Sequence, residues 1–111
     1  MKVLTLEPFY RTIYAFDVNQ EGTRATNKRS VYLAAGFVPD GLKVAANGYI
    51  LTANGKGVDV LDPLGQLLVT IQTNYTVQNF AWTGPELKTL WLTGAGGVSK
   101  VEWNLAGQDL K

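Results

Sequence analysis

The chain has 111 residues, 46% of them hydrophobic and 17% charged, with a formal net charge of +1. That is the size and composition of one globular domain, and the small net charge gives no basis for binding nucleic acid or an anionic membrane surface. Cysteine and histidine are both at 0, which excludes disulfides, thiol nucleophiles, Ser-His-Asp triads and His- or thiolate-bound zinc within the chain.

No segment holds a helical period. Short apolar stretches alternate with Gly, Asn, Asp and Pro turns, the pattern of an all-β protein. Lys2 to Leu6 reads as a first strand and Arg11 to Val18 as a second. The stretch 19–22 turns the chain, and Ala25 to Leu33 forms a polar third strand. Arg24, Lys28 and Arg29 read as gatekeeper charges on a solvated edge there. Pro39 opens the next strand, with Leu42 and Val44 on one face. Asn47-Gly48 is the strongest two-residue hairpin signal, since both residue types tolerate φ > 0. Tyr49 to Ala53 follows, then a turn over 54–57 and a strand from Val58 to Leu61. Asp62-Pro63-Leu64-Gly65 fits a type I turn, and Gln66 to Gln72 ends the group. Strands over Val77 to Thr83, Thr89 to Thr93 and Val98 to Asn104 complete the chain. No apolar run approaches the ~20 residues of a membrane helix. The N-terminus is broken by Glu7 and Pro8 too early for a signal peptide.

The groups repeat. Leu42 corresponds to Phe80, Thr52 to Thr93, Val60 to Val101, and Leu4-Thr5 to Leu51-Thr52. A period near 40 residues with about four strands per unit marks a β-propeller blade. Lettering blade strands A to D from the axis outward, the chain reads B-C-D over residues 1–35, a complete blade over 36–75, and A-B-C over 76–111. The expected fold is all-β: about two and a half four-stranded antiparallel blades. Blades cover their faces by stacking, so the expected partners are missing blades of a longer chain or further copies in a homo-oligomer. A sandwich-like collapse of the sheets is the competing architecture.

Pro39-Asp40-Gly41-Leu42-Lys43-Val44, followed by Asn47-Gly48 and Tyr49-Ile50-Leu51-Thr52, resembles the gluconolactonase, senescence-marker-protein and luciferin-regenerating-enzyme family. So do Ile13-Tyr14-Ala15-Phe16-Asp17, the stretch Val58 to Gly65, and Asn79-Phe80-Ala81-Trp82-Thr83-Gly84 with Lys88 to Thr93. The resemblance spans nearly the whole chain and covers the C-terminal part of a six-bladed propeller. It implies a divalent cation, calcium first, at the mouth of the central tunnel, and hydrolysis of small lactones or esters. Asp40 matches the aspartate that acts in the family as metal ligand and acid/base. Asn79 matches an asparagine near the same mouth; the Pro-Thr usual before it is Val77-Gln78 here. The family's remaining ligands belong to earlier blades, so the chain alone is expected to be inactive.

The other candidates read as structural. Asp17, Asp59, Asp62 and Glu102 are expected in turns or on the surface, and Trp82, Trp91 and Trp103 as blade-packing residues. Gly94, Gly96 and Gly97 precede no Gly-Lys-Ser/Thr sequence or helix and make no phosphate loop. Asn74-Tyr75-Thr76 is a glycosylation sequon in an expected loop. A second functional reading is a non-catalytic blade module that binds its own copies or another protein.

Overall fold

The computed structural model describes residues 2–7, 11–35 and 39–109. The N-terminal break at Pro8 and the proposed division between residues 35 and 36 touch positions outside these. Among the described residues ten strands occur in the order expected: β1 (Lys2–Glu7), β2 (Thr12–Val18), β3 (Ala25–Leu33), β4 (Pro39–Val44), β5 (Ile50–Asn54), β6 (Gly57–Leu61), β7 (Leu67–Gln72), β8 (Val77–Thr83), β9 (Thr89–Gly94) and β10 (Gly97–Glu102). They form three antiparallel meanders, β1-β2-β3, β4-β5-β6-β7 and β8-β9-β10. No helix among the described residues is long and apolar enough to cross a membrane.

The meanders follow from the turns. Gly65 N–H donates to Asp62 C=O at 2.9 Å, and Asp62 Oδ1 accepts from the N–H groups of Leu64 and Gln66. The Asn47-Gly48 hairpin differs from expectation. Ala45 N–H donates to Tyr49 C=O at 2.7 Å and Gly48 N–H to Ala45 C=O at 3.0 Å, which closes a three-residue loop. Within it only Gly48 takes positive φ, at 91°. Asn47 serves through its side chain instead, Oδ1 accepting from Tyr49 N–H at 3.0 Å, an Asx-type turn contact.

The middle sheet is covered on both faces. Ile50 and Leu61 pack against Ile13 of the first sheet. Leu51, Ala53, Val58 and Val60 pack against Val77, Phe80, Leu90 and Leu92 of the third. Every residue of β6 is therefore buried, whereas β3 and β7 are largely exposed along their length. Burying one such Leu or Ile contributes about 1.5–3 kcal/mol. On β3, Arg29 pairs with Asp17 at 3.0 Å and the Lys28 ammonium lies 4.2 Å from the Tyr14 ring centroid.

The registers correct two of the sequence correspondences. Leu42 stands opposite Thr52, and Phe80 opposite Leu92. Thr52 therefore matches Leu92, not Thr93, and Val60 matches Lys100, not Val101. The physical reason is strand alternation: a one-residue slip moves a side chain to the other face. Thr93 is exposed where Thr52 is buried. At the hairpin end of the second and third sheets, residues 105–107 cross between them. Ala46 N–H donates to Ala106 C=O at 2.9 Å, Gly107 N–H to Leu87 C=O at 2.8 Å, and Trp82 Nε1 to Leu105 C=O at 3.1 Å.

Candidate functional site

β4 and β8 begin at the same end of the molecule, and both are irregular there. The register shifts between Pro39 and Leu42 on β4 and between Val77 and Asn79 on β8. Such bulges re-aim side chains and recur beside active sites. The two strand heads touch through Gly41. A Cβ built on Gly41 would lie 2.7 Å from Asn79 Oδ1 and 3.0 Å from the Gln78 carbonyl oxygen. A side chain at this position would press on the Gln78–Asn79 backbone, and glycine leaves the room for this approach. Asp40 and Asn79 thus occupy adjacent strand heads.

Asp40 is exposed. Its carboxylate forms no hydrogen bond or ion pair with the described residues. Asn79 is also exposed, and its Oδ1 accepts from Phe80 N–H at 2.9 Å. Thr93 Oγ1 donates to the Asn79 carbonyl at 3.3 Å. Beside them lies a shallow depression of about 130 Å³ lined by Asn79, Phe80, Ala81, Trp91 and Thr93. Trp91 does not pack between described sheets as expected. It is 39% exposed on the outer face of the third sheet, with Nε1 donating to Thr83 Oγ1 at 2.9 Å. The expectation for Trp82 and Trp103 agrees with their packing against the core.

Asp59 contradicts its expected surface position. It is 3% exposed at the centre of β6 and accepts hydrogen bonds from Tyr32 Oη at 2.8 Å, Asn54 Nδ2 at 2.7 Å and Thr70 Oγ1 at 2.9 Å. Burial, then the hydrogen bond to the carboxylate and its charge, push the Tyr32 phenol well above its ordinary range. The available signal was the stretch Val58-Asp59-Val60-Leu61: an acid with apolar neighbours on both strand faces implies a strand covered on both sides. Asp17 and Glu102 are exposed and Asp62 holds its turn, as expected.

Calcium takes six to eight oxygens. The described residues contain no group of three or more His, Cys, Asp or Glu side chains placed to hold an ion. At the paired heads they offer one uncommitted carboxylate and one amide oxygen, which retains a second lone pair. These donors fit a hard cation in kind and supply a minority of its ligands.

The sequence model of the SMP-30/Gluconolactonase/LRE-like region matches residues 2–96. Lactonohydrolase oryH of Aspergillus oryzae is 50% identical over 101 residues, which cover 91% of this chain and 22% of that protein. The chain thus spans about a fifth of the length of this curated relative. A solved candidate gluconolactonase superposes with a TM-score of 0.89 at 28% identity, over 97% of this chain and 37% of that one. Regucalcin from Agrobacterium tumefaciens, a calcium-binding protein, superposes with a TM-score of 0.85 at 15% identity, over 96% of this chain and 43% of its own, a likeness of fold. The three sheets are those of a partial β-propeller.

Proposed function

Because the chain belongs to the SMP-30/gluconolactonase/LRE-like family, we propose that it forms one side of the mouth of a divalent-cation-dependent lactone hydrolase. The observation that carries this reading is the contact of Gly41 with Asn79, which seats Asp40 and Asn79 on touching strand heads. Asp40 would hold the ion through its carboxylate and Asn79 through its amide oxygen. When bound, the ion polarises the lactone carbonyl and lowers the pKa of a water molecule. Water adds to that carbonyl, the ring C–O bond opens, and a hydroxy acid leaves. The Asp40 carboxylate is also free to take the proton of the attacking water. The all-oxygen donor set favours calcium, and regucalcin offers a calcium-binding example of the fold. Two side chains fall well short of a full calcium shell, so the remaining ligands would come from blades beyond these residues and the chain alone would not turn over.

The test is calcium titration and lactone hydrolysis in the complete protein, with Asp40→Ala and Asn79→Ala variants. Asp40→Ala should abolish turnover and weaken calcium binding at least tenfold, with Asn79→Ala weakening it less. An active protein whose calcium affinity ignores Asp40→Ala would overturn the assignment.

A second reading, a non-catalytic module that self-associates, is favoured by the open outer face of the third sheet. Trp91 and Val98 are exposed there, Val98 by 66%. It requires this chain to form oligomers in light scattering, and a monodisperse monomer would reject it.

A further inference from the structure

Asp59 is a carboxylate held near the middle of a sheet sandwiched between two others, and no described lysine or arginine pairs with it. Its three donors are neutral and come from three strands: Tyr32 on β3, Asn54 on β5 and Thr70 on β7. Packing alone gives no reason for an acid there. Val58 and Val60 flank it, and a valine would avoid the cost of burying a charge. The surroundings also carry an unrelieved cost, since Asn54 Oδ1 and Thr52 Oγ1 are buried without a hydrogen-bond partner. The Asn54 amide is fixed this way round because only its NH₂ can face a carboxylate.

The shortest of the three bonds leads to the site. Asn54 ends β5 and stands opposite Pro39, the residue before Asp40. The next residue, Gly55, accepts Val77 N–H at 2.9 Å, two residues before Asn79. Lys56 accepts Thr73 N–H at 3.1 Å. At Gly57 any Cβ would run into the Ile71 carbonyl oxygen, so this turn has no other seat. The turn over 54–57 is therefore the common attachment of both strand heads, and among the described residues Asp59 anchors it through the Asn54 side chain. We propose that Asp59 is a positioning residue: through Asn54 it fixes the turn from which Asp40 and Asn79 are presented to the ion. Tyr32 donates to the same Oδ2 as Asn54 and ties the carboxylate to the first sheet, while Thr70 holds Oδ1. The consequence for ion binding rests on the proposed function; the mechanical role does not.

The experiment separates the two. In the complete protein, amide hydrogen exchange is measured at Val77 and Thr73, together with calcium affinity, for Asp59→Asn, Asn54→Ala, the swap Asn54→Asp with Asp59→Asn, and Tyr32→Phe. Both single changes at 54 and 59 should speed exchange at Val77 at least tenfold and weaken calcium binding at least tenfold. The swap restores a carboxylate–amide pair and should recover most of both. Tyr32→Phe leaves the Asn54 bond in place; it should lower the melting temperature while calcium affinity stays within twofold. If Asp59→Asn fails to fold, Asn54→Ala carries the test. Exchange at Val77 unchanged in the folded variants overturns the positioning role, whatever calcium does. Faster exchange with a calcium affinity that ignores Asp40→Ala as well would keep that role and overturn the ion site.

Discussion

Gly41→Ala tests the contact on which the candidate site depends. The new Cβ would sit 2.7 Å from Asn79 Oδ1, 3.0 Å from the Gln78 carbonyl oxygen and 3.1 Å from Asn79 Cα, all inside the 3.4 Å at which ordinary contact begins. Rotating the Asn79 side chain relieves only the first, because the other two atoms are backbone. Forced overpacking of this kind costs about 1–3 kcal/mol. Displacing Asn79 Oδ1 from Phe80 N–H adds about 1 kcal/mol. Stiffening the unfolded chain returns about 0.4–1 kcal/mol, since Gly41 does not occupy a positive-φ conformation. The balance is a destabilisation of about 1–3.5 kcal/mol. For 111 residues each kcal/mol lowers the melting temperature by about 4 °C, so the expected fall is about 4–14 °C. Urea unfolding and calorimetry measure it. Combining Gly41→Ala with Asn79→Ala removes the nearest clashing atom, and the pair should be less destabilising than the sum by about 0.5–1 kcal/mol. A neutral or stabilising Gly41→Ala, or strict additivity with Asn79→Ala, would mean that β4 and β8 do not meet there.

Two further outcomes follow from other contacts. Tyr32→Phe removes a donor to a buried carboxylate and should cost about 1–2 kcal/mol at neutral pH. The Tyr32 phenol is raised by burial and by Asp59, so its folded form holds a proton that the unfolded form releases near pH ~10. Its stabilisation is full below that pH and is lost as pH rises toward the folded value; urea midpoints should fall above pH ~10 in the parent and fall less steeply in Tyr32→Phe, and parallel curves would refute the coupling. At the outer face, Trp91 should supply the acrylamide-quenchable part of the tryptophan emission. Trp91→Phe should remove that part and change stability by no more than about 0.5 kcal/mol; undiminished quenching would place the exposed indole elsewhere.

Turn chemistry made the strand order readable, because a turn is a local decision. Asp62-Pro63-Leu64-Gly65 bends as its residues require, and the alternation in Ile13 to Val18 places Ile13 and Ala15 inward. Register was less legible. The loop over 45–49 and the loop over 84–88 join their strands differently, and counting along the chain put Thr93 where Leu92 stands. Asp40 and Asn79 were each visible from motif, but their adjacency comes from two bulges and a glycine contact between strands far apart in sequence. Asp59 departs from the expected surface position because sheets cover its strand on both sides, a tertiary fact that overrides the usual preference of an acid for solvent.

Residues 105–107 have a consequence for how the protein comes apart. A stack of meanders joined only by neighbouring faces would lose its units one at a time, each boundary breaking on its own. Here the segment after β10 is anchored in the third meander through Leu87 and Trp82 and reaches across to the second at Ala46, and a Cβ on Gly107 would strike the Trp82 ring. Opening that boundary means undoing its face and its lacing together. The second and third meanders should therefore melt as one cooperative body, and the first, held by the Ile13 cluster and the Tyr32 bond, should fray at lower free energy.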